Sequence, residues 1–190
     1  MASPYPVLSD ISHIAGNAPE EVKRILGDPK TFFTSQSPGG SAGHPIFGEA
    51  IQRRLSAVEI SINKKAEEPK KTEARYVMEI EVAEDMLNGG GNIHGGCSAF
   101  LVDVCSSMAL VAHTYANTGK LLPSVSQSLN LVYHSPATLG DKLRIVNTTL
   151  SLGARAQSAR TEIWNVTHGR LVVSATHIKM HPSPSPKASL

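Results

Sequence analysis

The residues from His94 to Gly119 read as one long helix that is small or apolar on every face yet carries a single carboxylate, Asp103. A helix that is apolar all round belongs inside a protein, so the rest of the chain must supply the layer that wraps it. An isolated carboxylate in such surroundings is costly unless partners or a raised pKa neutralise it. Asp103 is therefore either paired structurally or engaged in chemistry. Ser98, Ser106, Ser107, His113 and Thr114 interrupt the apolar run too often for a span of about twenty lipid-facing residues. A core helix is expected, and no membrane span.

The flanks supply the wrapping layer. Val58, Ile60 and Ile62 alternate with Glu59, Ser61 and Asn63, and Tyr76, Met78, Ile80 and Val82 alternate with polar residues, each in the period of a half-buried strand. After the helix come four more strand candidates, near 123–134, 142–151, 157–167 and 170–181, with turns at Pro136, Gly140, Gly153 and Gly169. The connections are too short for helical crossovers, which favours antiparallel pairing. The expected fold class is α+β, an antiparallel sheet of about six strands wrapped round one long central helix. One helix covers one sheet face only, so two chains are expected to pair edge to edge as a homodimer, or as a dimer-of-dimers tetramer. Residues 1–45 are rich in Pro, Ser and Gly and read as an N-terminal appendage, partly helical or extended, with one helical patch at Ala18–Leu26. A short helix is expected over Pro45–Leu55. Residues 46–182 form the domain, and 183–190 a disordered tail.

At 190 residues and 41% hydrophobic the chain has enough material for one real core. Net charge is only +2 and the cations are scattered among acids, so nucleic acid is not an expected partner. Cys97 and Cys105 lie eight apart on one helix, about 12 Å along its axis and beyond disulfide reach. A reduced setting follows, and no export signal is read at the start of the chain. Cytoplasmic localisation is expected, with peroxisome or mitochondrion as alternatives. The glycine loop gives no G-x-G-x-x-G, because the last position is His94, and G-x-S-x-G, H-E-x-x-H and C-x-x-C are all missing. No metal and no cofactor are expected.

What remains is N-x-x-G-x-x-H-G-G-x-x-x-x-x-x-D, made by Asn88, Gly91, His94, Gly95, Gly96 and Asp103. Two glycines at a helix start let a ligand approach free N–H groups at the positive end of the helix dipole, a natural cradle for an oxyanion. They also serve plain tight packing. Gly96 and Asp103 share a helix face but lie about 10 Å apart along the axis, too far for both to touch one carbonyl. If two helices pack antiparallel across a dimer interface, the start of one can face Asp103 of the other. On the next strand Ser124, Ser126, Ser128 and Asn130 point one way while Val125, Leu129, Leu131 and Tyr133 point the other. Ser126 is then suited to orienting a water, or is simply an exposed strand residue. Cys97 is the rival nucleophile, since a helix start lowers a thiol pKa; its other reading is buried packing. His94 either fixes the loop or transfers protons.

At these residues the chain resembles the hotdog-fold acyl-CoA thioesterases, in particular the group of phenylacetyl-CoA thioesterases and thioesterase superfamily member two. The resemblance covers about residues 72–181 and includes Asn88, Gly91, His94-Gly95-Gly96, Leu101-Val102-Asp103, Ser126, Asn130 and Tyr133-x-Ser135-Pro136-Ala137. It implies a long helix wrapped by an antiparallel sheet, in dimers that often pair into tetramers. It implies Asp103 as general base or nucleophile, the N–H of Gly95 or Gly96 as polariser of the thioester carbonyl, Asn88 helping to hold the reacting groups, and Ser126 positioning the water. His94, Asn130 and Arg155 are assigned to substrate binding. The expected activity is hydrolysis of acyl-CoA thioesters; the alternative is a non-hydrolytic module binding acyl-CoA or an aromatic ligand on the same fold. Three consecutive glycines in the loop and the N-terminal 45 residues depart from the short family members.

Overall fold

The computed structural model describes residues 7–35 and 46–182. The chain runs α1 (Glu20–Leu26), α2 (Pro29–Ser35), α3 (Glu49–Gln52), β1 (Ser56–Lys64), β2 (Thr72–Glu81), α4 (Gly95–Thr118), β3 (Val125–Tyr133), β4 (Lys142–Leu152), β5 (Ala156–Asn165) and β6 (Arg170–Met180). The six strands form one sheet in the order β1-β2-β4-β5-β6-β3, antiparallel throughout. Helix α4 leaves from the β2 side, crosses the sheet and returns the chain to the far edge as β3. This is the hotdog arrangement.

Local chemistry sets the ends of α4. His94 has extended backbone and caps the first turn, and Gly119 closes the last turn at φ +66, a left-handed conformation that glycine takes without strain. Among the described residues α4 is the one helix long and apolar enough to cross a membrane, but most of it is buried against the sheet. Leu101, Cys105, Met108 and Ala112 on the helix meet Tyr76, Met78, Ile145 and Val173 from the strands in one apolar cluster.

The N-terminal segment corrects the expectation of an appendage. Ile14, Val22, Ile25, Leu26 and Phe32 are buried in the same cluster as α4. Ala15 lies parallel to β1, giving its N–H to Val58 and taking one from Ile60, and the Asn17 side chain accepts from Ile62 N–H. The buried Tyr76 hydroxyl donates to the Leu26 carbonyl. Pro and Ser richness hid an apolar pattern that docks on the sheet. Helix boundaries shift as well: α1 begins at Glu20, with Pro19 preceding it, and α3 is four residues rather than the eleven expected over 45–55. Gly48 has left-handed backbone (φ +67), so α3 starts only after it, and a side chain there would meet Phe100. Helix α2 was not anticipated, although Asp28-Pro29 is a cap followed by a first-turn proline, and Asp28 accepts from Thr31 N–H. The expected tail, 183–190, lies outside the described residues, as do 1–6 and 36–45.

Candidate active site

Three pieces of chain meet around Asp103: the middle of α4, the start of β3 and the end of β6. Ser126 Oγ donates to Asp103 Oδ1 at 2.9 Å. Asp103 is not buried in the single chain; its side chain is 44% exposed, because none of the described residues lies over this face of α4. Its main-chain oxygen accepts from Ser107 Oγ at 2.7 Å.

A bulge in β3 decides which serines reach the site. The register against β6 shifts between Ser126, opposite Lys179, and Ser128, opposite Ile178. The extra residue turns Ser126 to the helix side, with Lys179 and His177, and sends Ser128 and Asn130 to the outer side, where Asn130 Nδ2 donates to Ser128 Oγ. The expected continuous hydroxyl face is thus broken: Ser126 reaches Asp103, and Asn130 does not. Arg155 lies in the β4–β5 turn, where its carbonyl accepts from His181 N–H, beside a groove formed by Thr118, Leu122 and Pro123 near the C-terminal end of α4. Within one chain it is remote from the helix start.

At that start, His94 Nδ1 accepts from Gly96 N–H at 2.9 Å, so the imidazole serves as the N-cap. Of the two glycines, Gly96 already spends its N–H inside the chain, which leaves Gly95 as the better-placed donor. Tyr133 OH donates to the Gly95 carbonyl at 3.0 Å. Asn88 shapes the glycine loop: its Oδ1 accepts from Gly90 and Asn92 N–H, and its carbonyl from Gly91 N–H. Gly91 sits at φ +75, where a side chain would be strained. The rival Cys97 does not gain a reactive thiolate from the helix start. Burial first, and Asp85 second, push its thiol up to about 11, so it is protonated at neutral pH.

Two residues that sequence reasoning did not assign complete the cluster. Lys179, 8% exposed, donates from Nζ to Ser107 Oγ at 2.9 Å and to Ser126 Oγ at 3.5 Å. His177 is fully buried; Ser106 Oγ lies 2.6 Å from its Nδ1. Its Nε2 approaches Asp103 Oδ1 at 3.4 Å but makes no hydrogen bond among the described residues, so proximity rather than alignment defines this contact. Burial, then the Lys179 charge, lower the His177 pKa to about 4 against the opposing pull of Asp103, so the ring is neutral at pH 7. Strand period held a signal for both, since Val173, Ala175, His177 and Lys179 fall on one face of β6. Among the described residues no cluster of His, Cys, Asp or Glu is suited to a metal ion.

Residues 90–172 match the family model of the thioesterase superfamily. Among solved structures, zebra fish thioesterase superfamily member 2 is 26% identical with a TM-score of 0.60, covering 74% of this chain and 90% of its own. The mouse protein of that name is 28% identical with a TM-score of 0.57, covering 72% and 90%. A hypothetical thioesterase from Streptococcus pneumoniae is 24% identical with a TM-score of 0.51, covering 59% and 81%, and bears on the fold alone. No curated protein gives a significant match. The fold is that of the hotdog thioesterases, and together with the family match over 90–172 it likens the chain to them and supports a general function of thioesterase type.

Proposed function

We propose that this chain hydrolyses acyl-CoA thioesters to free acid and CoA in a site completed by a second copy of itself. The observation that carries the reading is the Asp103–Ser126 pair: a half-exposed carboxylate held by a hydroxyl at 2.9 Å, which a module that only binds ligand has no need of. Asp103 acts as general base or nucleophile, and Ser126 Oγ orients the water. The thioester carbonyl is polarised by Gly95 N–H at the positive end of α4, with Asn88 holding the loop beside it. Eight residues of helix separate Gly95 from Asp103, about 12 Å along the axis, so the two groups serve one carbonyl only when they come from different protomers. The bare edge of β3 gives the second protomer a place to pair, in a homodimer or a dimer of dimers. The Streptococcus pneumoniae fold neighbour was solved with coenzyme A, so a fold of this kind can hold the CoA part of such a substrate.

The test is hydrolysis across a panel of aromatic, medium-chain and long-chain acyl-CoA substrates by wild type and Asp103→Asn. The variant is expected to keep its fold and oligomeric state and to lose about a hundredfold or more in turnover. Unchanged hydrolysis by the folded variant overturns the mechanism. Absence of hydrolysis by wild type, together with measurable CoA-ester binding, favours the binding module.

A further inference from the structure

Lysine is rarely buried without a partner, yet Lys179 is 8% exposed and lies against the Asp103 cluster. It stands opposite Ser126 in the β3–β6 register and so shares the helix side of the sheet. The groups facing it are Asp103 and Ser107 from α4, Ser126 from β3 and His177 on its own strand. An ammonium carries three donors and no acceptor, whereas a hydroxyl has one hydrogen and two lone pairs. Any serine oxygen that Lys179 touches must therefore accept from it and aim its single hydrogen elsewhere. Both serines aim it at residue 103: Ser126 at Oδ1, 2.9 Å away, and Ser107 at the main-chain oxygen, 2.7 Å away.

We propose that Lys179 is a positioning residue of the hydrolytic step: by donating to the Ser126 and Ser107 hydroxyls it turns both hydrogens toward Asp103 and leaves the second lone pair of Ser126 for the attacking water. The proposal rests on the hydrolytic reading above. It also separates a functional from a merely structural lysine. Replacing a buried ion by an apolar group of similar volume is often neutral or stabilising, so stability and turnover are expected to move apart.

The test is Lys179→Met, measured for hydrolysis, thermal stability and crystal structure, with Ser126→Ala and the double variant beside it. Turnover is expected to fall about tenfold to a hundredfold, with KM changed by less than about threefold and the melting temperature unchanged or higher. On the Ser126→Ala background the same change should cost less than about threefold, because the lysine acts through that serine. In the crystal, Ser126 Oγ is expected to leave hydrogen-bond distance of Asp103. Full turnover in Lys179→Met, losses that add in the double variant, or a Ser126–Asp103 bond that stays in place overturns the proposal. Should the methionine variant fail to fold, Lys179→Gln takes the same measurements with the same expected results. The crystal result needs no turnover, so it decides the role of Lys179 even if Asp103→Asn remains active and the hydrolytic reading falls.

Discussion

The two edges of the sheet are treated in opposite ways. The outer edge of β1 is covered by the chain's own Ala15–Asn17 segment, and the interior behind it is apolar, with Leu26, Ile60 and Tyr76 fully buried. Among the described residues the outer edge of β3 is bare: Val125 is 51% exposed and Val132 and Tyr133 are each 57% exposed. Behind its first half the buried groups include polar ones, with His177, Lys179 and Ser107 set round Asp103, before Ala175 and Val173 continue the apolar core. An unpaired edge invites another strand. The chain has closed that invitation on the side built for stability and left it open on the side that carries the candidate chemistry.

Shortening the seal on the covered side should have the largest effect. Leu26 is fully buried under the Tyr76 hydrogen bond, so Leu26→Ala is expected to cost about 2–5 kcal/mol in urea unfolding. A loss under about 1 kcal/mol would mean that the N-terminal segment rides on the domain without being part of its core.

The open side is probed by a charge. Val132→Lys places a cation on the bare edge, a device that blocks edge pairing. Light scattering after gel filtration at micromolar concentration should show wild type as a dimer or larger assembly and the variant shifted to monomer. Hydrolysis should fall in parallel by about tenfold or more, near 1.4 kcal/mol. A variant that stays assembled and active would place the interface elsewhere.

The remaining test of the open side uses acid. His177 has its folded pKa lowered to about 4 from an ordinary 6.5, so the unfolded chain binds the proton more readily. Its contribution is fully present above pH 6.5 and is lost as pH falls from there toward 4. His177→Gln should flatten that part of the stability–pH curve, measured by urea midpoints at pH 7 and pH 4.5. His113, also lowered by burial first and by Lys65 second, leaves a residual slope. An identical slope in the variant would remove His177 as the acid-sensitive point of the open side.

The core architecture was legible because it rests on short-range pattern. Strand alternation around Tyr76 and Met78, the apolar helix bounded by His94 and Gly119, and glycine turns at 140, 153 and 169 are written in neighbouring residues, and they place every strand to within a few positions. Asp103 announced itself by being a lone charge among apolar neighbours. The N-terminal segment misled because its turns and prolines dominate composition, while its few apolar residues gain their meaning only from the groove they fill.

Tertiary structure alone decided what surrounds Asp103. A one-residue bulge in β3 sent Ser126 inward and Asn130 outward, and no count of alternating residues reveals an irregularity that depends on the partner strand. His177 and Lys179 reach Asp103 from more than seventy residues along the chain, brought there by the order in which β6 and β3 pair. The sequence by itself determined the helix, the strands and the residue that demanded explanation, since these follow from local period and hydrophobicity. Which donors meet that residue, and which edge stays open beside it, depends on long-range pairing that only the folded sheet sets.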